Sequence, residues 1–157
     1  MNIFILSNDP KEAAQFHCDK HAIKMILEHT QMLSTAIRVH SNDTVDTVYK
    51  KAHLNHPCSI WTRKTRNNFL WLCEMTEELF QEYTKRYGKQ HKSYPIFELC
   101  KNHANLIPEG NMTDFAQAMP IEYKNQDPVT AYRTYYIKDK KDFATWKLGN
   151  KPEWFIV

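Results

Sequence analysis

Five polar side chains fall into helical register early in the chain. His17, His21, Lys24, Glu28 and Gln31 follow steps of 4, 3, 4 and 3, so on a helix they share one face, with Thr35 continuing the row. Imidazole and ammonium groups hold phosphate oxygens. A carboxylate among them serves as general base or stabilises a developing cation. Glu28 and His21 are the acid/base pair such a row offers; His17, Lys24 and Gln31 are candidates for holding a ligand. The alternative is the solvent face of an ordinary amphipathic helix, which favours long Lys and Glu over two histidines and a glutamine. Ala22, Met25, Ile26, His29, Met32, Leu33 and Ala36 cover most of the remaining circumference. A strip so narrow must line a cleft or find internal partners.

Other groups carry weaker signals. His53, His56 and Cys58 are compact, but no second Cys/His pair follows at zinc-finger spacing. They read as a turn at Asn55-His56-Pro57 with His56 at a pocket edge, and no metal or cofactor is expected. Arg63, Lys64, Arg66, Asn67 and Asn68 cluster where a second helix should begin, an end that disfavours cations. An anion site built on Arg63 and Arg66 and a solvated basic turn explain them equally well. The runs Arg86 to Lys92 and Tyr132 to Lys138 interleave aromatic and basic residues, as base stacking with phosphate neutralisation requires. Arg133 and Tyr136 are the ligand-holding candidates there. Tyr132 and Tyr136, four apart, are also what a core-facing helix offers, which is the preferred reading of that pair, and Trp146 and Trp154 are expected to close the core.

The elements that position these groups read as helices. Asp9-Pro10 starts a helix well. Phe16, Ile23, Ile26, Leu27, Thr30, Leu33 and Ile37 then recur at helical steps, giving one long helix to about His40. A second is predicted from about Ser59 to Tyr87, stopped by Gly88. Shorter ones are predicted at Pro95 to Ala104, Pro128 to Ile137 and around Lys141 to Trp146. Met1 to Leu6 is a short strand or an extended arm. With no repeat and no βαβ alternation, the chain reads as a compact all-α single domain over residues 1–157, built on two long helices.

Composition agrees. The 157 residues are 42% hydrophobic and 13% aromatic, enough for a core without staples, and three glycines argue against Gly-rich phosphate loops. No stretch is long and apolar enough for a membrane span and no secretion signal is evident. The four cysteines, with no CxxC pair, read as buried thiols of a reducing compartment. A net charge of +3 permits an anionic partner without the footprint of a dedicated duplex binder.

The pattern Asn2-Ile3-Phe4, Asp9-Pro10, His17-Cys18-Asp19-Lys20-His21, Lys24-Met25 and Glu28 resembles a family found mostly in bacteriophage genomes. Its later marks are His56-Pro57-Cys58, Arg86-Tyr87-Gly88-Lys89, Gln117-Ala118-Met119-Pro120 and Ala131-Tyr132-Arg133. A second, weaker resemblance is to the pyrimidine-dimer DNA glycosylases of the endonuclease V type. His21 and Glu28, seven apart, fall where those enzymes carry a histidine and the catalytic glutamate. That resemblance implies a small all-α fold and attack on C1′ by the α-amine exposed when the initiator Met is removed. Residue 2 here is Asn, whose bulk disfavours that removal. Met1 is therefore expected to stay, with the amine displaced by one residue.

These readings give a leading expectation: a phage protein of the infected host's cytoplasm that captures, and in one version hydrolyses, a small cyclic or ADP-ribose-type nucleotide signal. A homodimer would suit such a pocket. The rival is a DNA glycosylase or base-modification enzyme acting on an N-glycosidic bond, with Glu28 stabilising an oxocarbenium-like state after base flipping. A phage interaction protein without chemistry is the third.

Overall fold

Asp9 accepts the Lys11 N–H and Pro10 fills the first turn, so helix α1 (Pro10–Gln15) starts as the sequence predicts. The computed structural model describes all 157 residues, Met1–Val157, and is built of helices without a strand. The first long helix, however, is two. α1 ends after six residues, and α2 (Asp19–His40) begins anew behind an extended Cys18. No Gly or Pro marks this break; distant partners hold it. The Arg86 guanidinium donates to the carbonyls of Gln15 (3.1 Å) and His17 (2.8 Å), and the Asp19 N–H donates to that of Thr145 (2.8 Å). Groups orphaned at two helix ends are thereby satisfied.

The second long helix divides in the same way, into α3 (Pro57–Lys64) and α4 (Arg66–Tyr87), around an extended Thr65. The Thr65 hydroxyl accepts from the Asn68 N–H, and the N–H groups of Arg66 and Asn67 donate to the carbonyls of Pro108 and Gly110. Gly88 ends α4 at φ 71°, the left-handed conformation that favours glycine. α5 (Tyr94–Asn102) and α6 (Pro128–Asp139) follow, with 3₁₀ turns at Ala104–Leu106 and Ile121–Tyr123. The helix expected around Lys141 to Trp146 is instead a turn leading into irregular chain.

α2 lies at the centre, packed against α3, α4 and α5. Met1 to Leu6 is an arm: Ile3, Phe4, Ile5 and Leu6 are all buried and join one core with residues of all six helices and the tail residues Trp146 and Phe155. All four cysteines are buried free thiols. No helix is long and apolar enough to cross a membrane.

Candidate active site at the chain amine

The arm delivers the start of the chain to α2, and Asn2 fixes it there. Its Nδ2 donates to the Ala118 carbonyl (2.8 Å), while its Oδ1 accepts from the Ile3 N–H (2.8 Å), the Tyr132 hydroxyl (2.9 Å) and the Cys58 thiol (3.6 Å). Parts of α3, α6 and the loop before α6 thus grip one side chain. The Met1 side chain beside it is only 2% exposed although the residue as a whole is partly open. What faces solvent at Met1 is therefore mostly backbone. The Met1 α-amine lies 3.6 Å from Glu28 Oε1, and Lys24 Nζ lies 3.9 Å from the same oxygen. The Glu28 side chain is 15% exposed, shielded but reachable.

His56 borders this centre. Its Nδ1 accepts the Cys58 N–H at the start of α3 (3.1 Å), which puts the proton of the neutral ring on Nε2. Burial and then the Met1 amine lower its pKa, and Glu28 opposes them. The half-buried ring thus feels both partners of the ion pair.

The rest of the predicted row parts company with Glu28. The helix break takes His17 out of α2 altogether. His17 is fully buried with Nδ1 2.7 Å from the Ala13 carbonyl, and burial pushes its pKa down to about 4. His21 is buried too: it stacks on Phe4 (centroids 4.6 Å apart), meets the Phe143 ring edge-on and holds the Tyr136 hydroxyl at 2.6 Å. Burial, followed by His17, Lys140, Lys24 and Lys20, lowers its pKa to about 2. Seven residues of helix, about 10.5 Å of rise, separate it from Glu28. The structure does not bring the expected acid/base pair together, and it holds His21 as a neutral ring in an aromatic wall. Gln31 stays half-buried along the row beyond Glu28.

Most of the basic and aromatic candidates serve the fold. Arg66 donates to the carbonyls of Asn105 (2.9 Å) and Ile107 (3.2 Å) and pairs with Glu109. Arg63 reaches the Ser59 hydroxyl (3.5 Å) from the last turn of α3, an end where cations are favoured. The helix break therefore removes the electrostatic oddity for Arg63 and Lys64, while Arg66, at the start of α4, is held by its carbonyl and Glu109 partners. Arg133 donates to the Leu6 carbonyl (2.9 Å) and lies over the Trp154 ring. Tyr136 is fully buried and accepts the Cys18 N–H.

Three lysines gather about the aromatic wall that holds His21, of which Lys140 carries no mark in the sequence. Lys20 Nζ sits 4.5 Å from the Phe143 ring centre, Lys140 Nζ 4.5 Å from that of Tyr135, and both ammonium groups, with that of Lys24, act on His21. Ile23 (42% exposed) and Leu27 (37%), which helped to mark the helix, lie on its open face next to Lys24 and Glu28 in the chain. None of the five principal cavities is lined by Met1, Lys24, Glu28 or His56.

The fold and the site together define an all-α chain whose amine is set against a helix-borne carboxylate. Residues 1–95, well over half of the chain, match the family model described as pyrimidine dimer DNA glycosylase, and the chain belongs to that family. No curated protein and no solved structure matches it. The match favours the N-glycosidic reading over nucleotide capture, which would need an enclosing pocket at this face. Neither the family nor the fold speaks to a phage origin or a homodimer.

Proposed function

We propose that this chain is a DNA glycosylase acting on pyrimidine lesions, with the Met1 α-amine as nucleophile and Glu28 as its proton acceptor and donor. The observation that carries the reading is the 3.6 Å approach of the amine to a carboxylate that is itself 15% exposed. The amine lies closer to Glu28 than the Lys24 ammonium does (3.6 Å against 3.9 Å), and the Lys24 side chain is 59% exposed. Met1 is therefore the attacking group, and Lys24 with Lys20 and Lys140 is suited to DNA phosphates.

The amine nitrogen attacks C1′ of the target deoxynucleotide. The C1′–N glycosidic bond breaks, its electron pair leaves with the base, and the base takes a proton from water. The new secondary ammonium gives one proton to Glu28. The nitrogen lone pair so freed then expels O4′, which takes that proton from Glu28, leaving a protonated open-chain imine between Met1 and the sugar; its remaining N–H proton neutralises the hydroxide left when the base was protonated. Hydrolysis returns the free amine and an abasic site. The Nε2–H of His56 can donate to a phosphate or to O4′ during these steps.

Borohydride reduction in the presence of duplex carrying a thymine dimer tests the reading. The expected result is a covalent adduct on the peptide that begins with Met1, located by mass spectrometry. Glu28→Gln should slow base release about 100-fold or more while leaving duplex binding in place. An adduct on Lys24, or no adduct with any lesion, would overturn it.

A further inference from the structure

The loop before α6 presents an aliphatic side chain to solvent on an unusually rigid mount. Residues 117–125 are closed at the base by two bonds: Gln117 Nε2 donates to the Asn125 carbonyl (2.6 Å) and its Oε1 accepts the Asn125 N–H (3.1 Å). Tyr123 stacks on Tyr135 of α6 (centroids 5.9 Å apart, 29° between planes) and donates to Asp139 (2.8 Å). Within the loop, Pro120 leads into the 3₁₀ turn, which is closed by the Tyr123 N–H on the Pro120 carbonyl (3.0 Å). At its start stands Ile121, 83% exposed. A flexible loop would let an isoleucine fold back onto apolar surface; this one holds it out.

The loop is also tied to the candidate active site at both ends. Ala118, three residues before Ile121, accepts the Asn2 bond that fixes the amine. Tyr135, under Tyr123, is the ring beneath Lys140, whose ammonium is 6.0 Å from the Phe4 ring centre. Three residues of chain reach at most about 10 Å, roughly three base steps of a DNA strand. Ile121 is the apolar group at this tip, flanked by the exposed Glu122 and, two residues further on, the exposed Lys124. Rigid aliphatic side chains of this kind enter the base stack and kink the duplex, and chemistry at C1′ requires the target to leave that stack.

We propose that Ile121 is a wedge that enters the duplex beside the target nucleotide and occupies the space left when a base turns out. The proposal rests on the DNA glycosylase reading. Its test uses full-length protein, a duplex with 2-aminopurine next to a stable abasic analogue, and borohydride trapping on abasic single strand and duplex. Wild-type protein should raise the 2-aminopurine fluorescence. Ile121→Ala should lose most of that rise and slow duplex trapping about ten-fold or more, with single-strand trapping within about two-fold of wild type. Ile121→Leu should restore both. Its thermal midpoint should not move, since the side chain touches little but solvent. Equal fluorescence and equal duplex rates for wild type and Ile121→Ala would overturn the wedge. An Ile121-dependent rise without any trapped adduct would uphold the wedge and overturn the amine chemistry; silence in both assays would overturn both.

Discussion

Acidification from about pH 7.5 to about 4.5 should remove about 5 kcal/mol of stability through two buried imidazoles, those of His17 and His21. Burial is the first cause of both shifts, to about 4 for His17 and about 2 for His21, whereas an unfolded chain titrates its histidines near 6.5. Above the unfolded value both states hold neutral rings and stability is at its full level. Between the unfolded and folded values the unfolded chain binds more protons, so stability falls as pH falls, by about 1.4 kcal/mol per pH unit for each ring. By about pH 4.5 each ring has removed about 2.5 kcal/mol, and the His17 loss levels off as pH passes its folded value. His29, fully buried and held well below its ordinary value by burial, steepens the loss further. Set against a typical total of about 5–15 kcal/mol, this brings the protein close to unfolding before most carboxylates protonate. Urea unfolding followed by circular dichroism at a series of pH values gives the slope directly. Two to three protons taken up on unfolding are expected between about pH 6 and 4.5, and His17→Gln should lower that number by about one. A slope below one proton in the wild type would refute the reasoning, because it would mean that the rings are hydrated and titrate normally in the folded state.

Two further substitutions probe the scaffold. Arg86→Met removes a fully buried guanidinium from Glu82 (3.0 Å), Asp19 (3.3 Å) and the two carbonyls at the α1–α2 break. The buried Glu82 is then stranded and the half-buried Asp19 loses its cation, keeping only the Lys147 and Leu148 N–H groups; calorimetry should show a loss of about 3–5 kcal/mol, or a fall in Tm of roughly 6–20 °C. Asn2→Ala frees four gripping partners; it should lower stability by about 1–3 kcal/mol and reduce the yield of trapped Met1 adduct, with Glu28 itself untouched.

Local signals were readable wherever the cause is local. Asp9-Pro10 and Asp127-Pro128 start helices because an acceptor side chain precedes a proline, and Gly88 stops one because it tolerates positive φ. Helical periodicity and the absence of strand signals determined an all-α chain, and the seven-residue spacing of His21 and Glu28 pointed to the family. The two helix breaks carry no local mark, because Arg86, Thr145, Pro108 and Gly110 hold them from far along the chain. Periodicity likewise shows which residues share a face but not which face meets the core. Packing of the arm, α3, α4 and α5 around α2 decided that, turning His21 and His29 inward and leaving Ile23 and Leu27 outside. The amine and Glu28 are 27 positions apart in the sequence. Only the buried arm, with Asn2 held by α3, α6 and the 117–125 loop, brings them within 3.6 Å. Sequence determined the parts and their local geometry; their meeting was decided by long-range burial and hydrogen bonding, which leave no periodic trace along the chain.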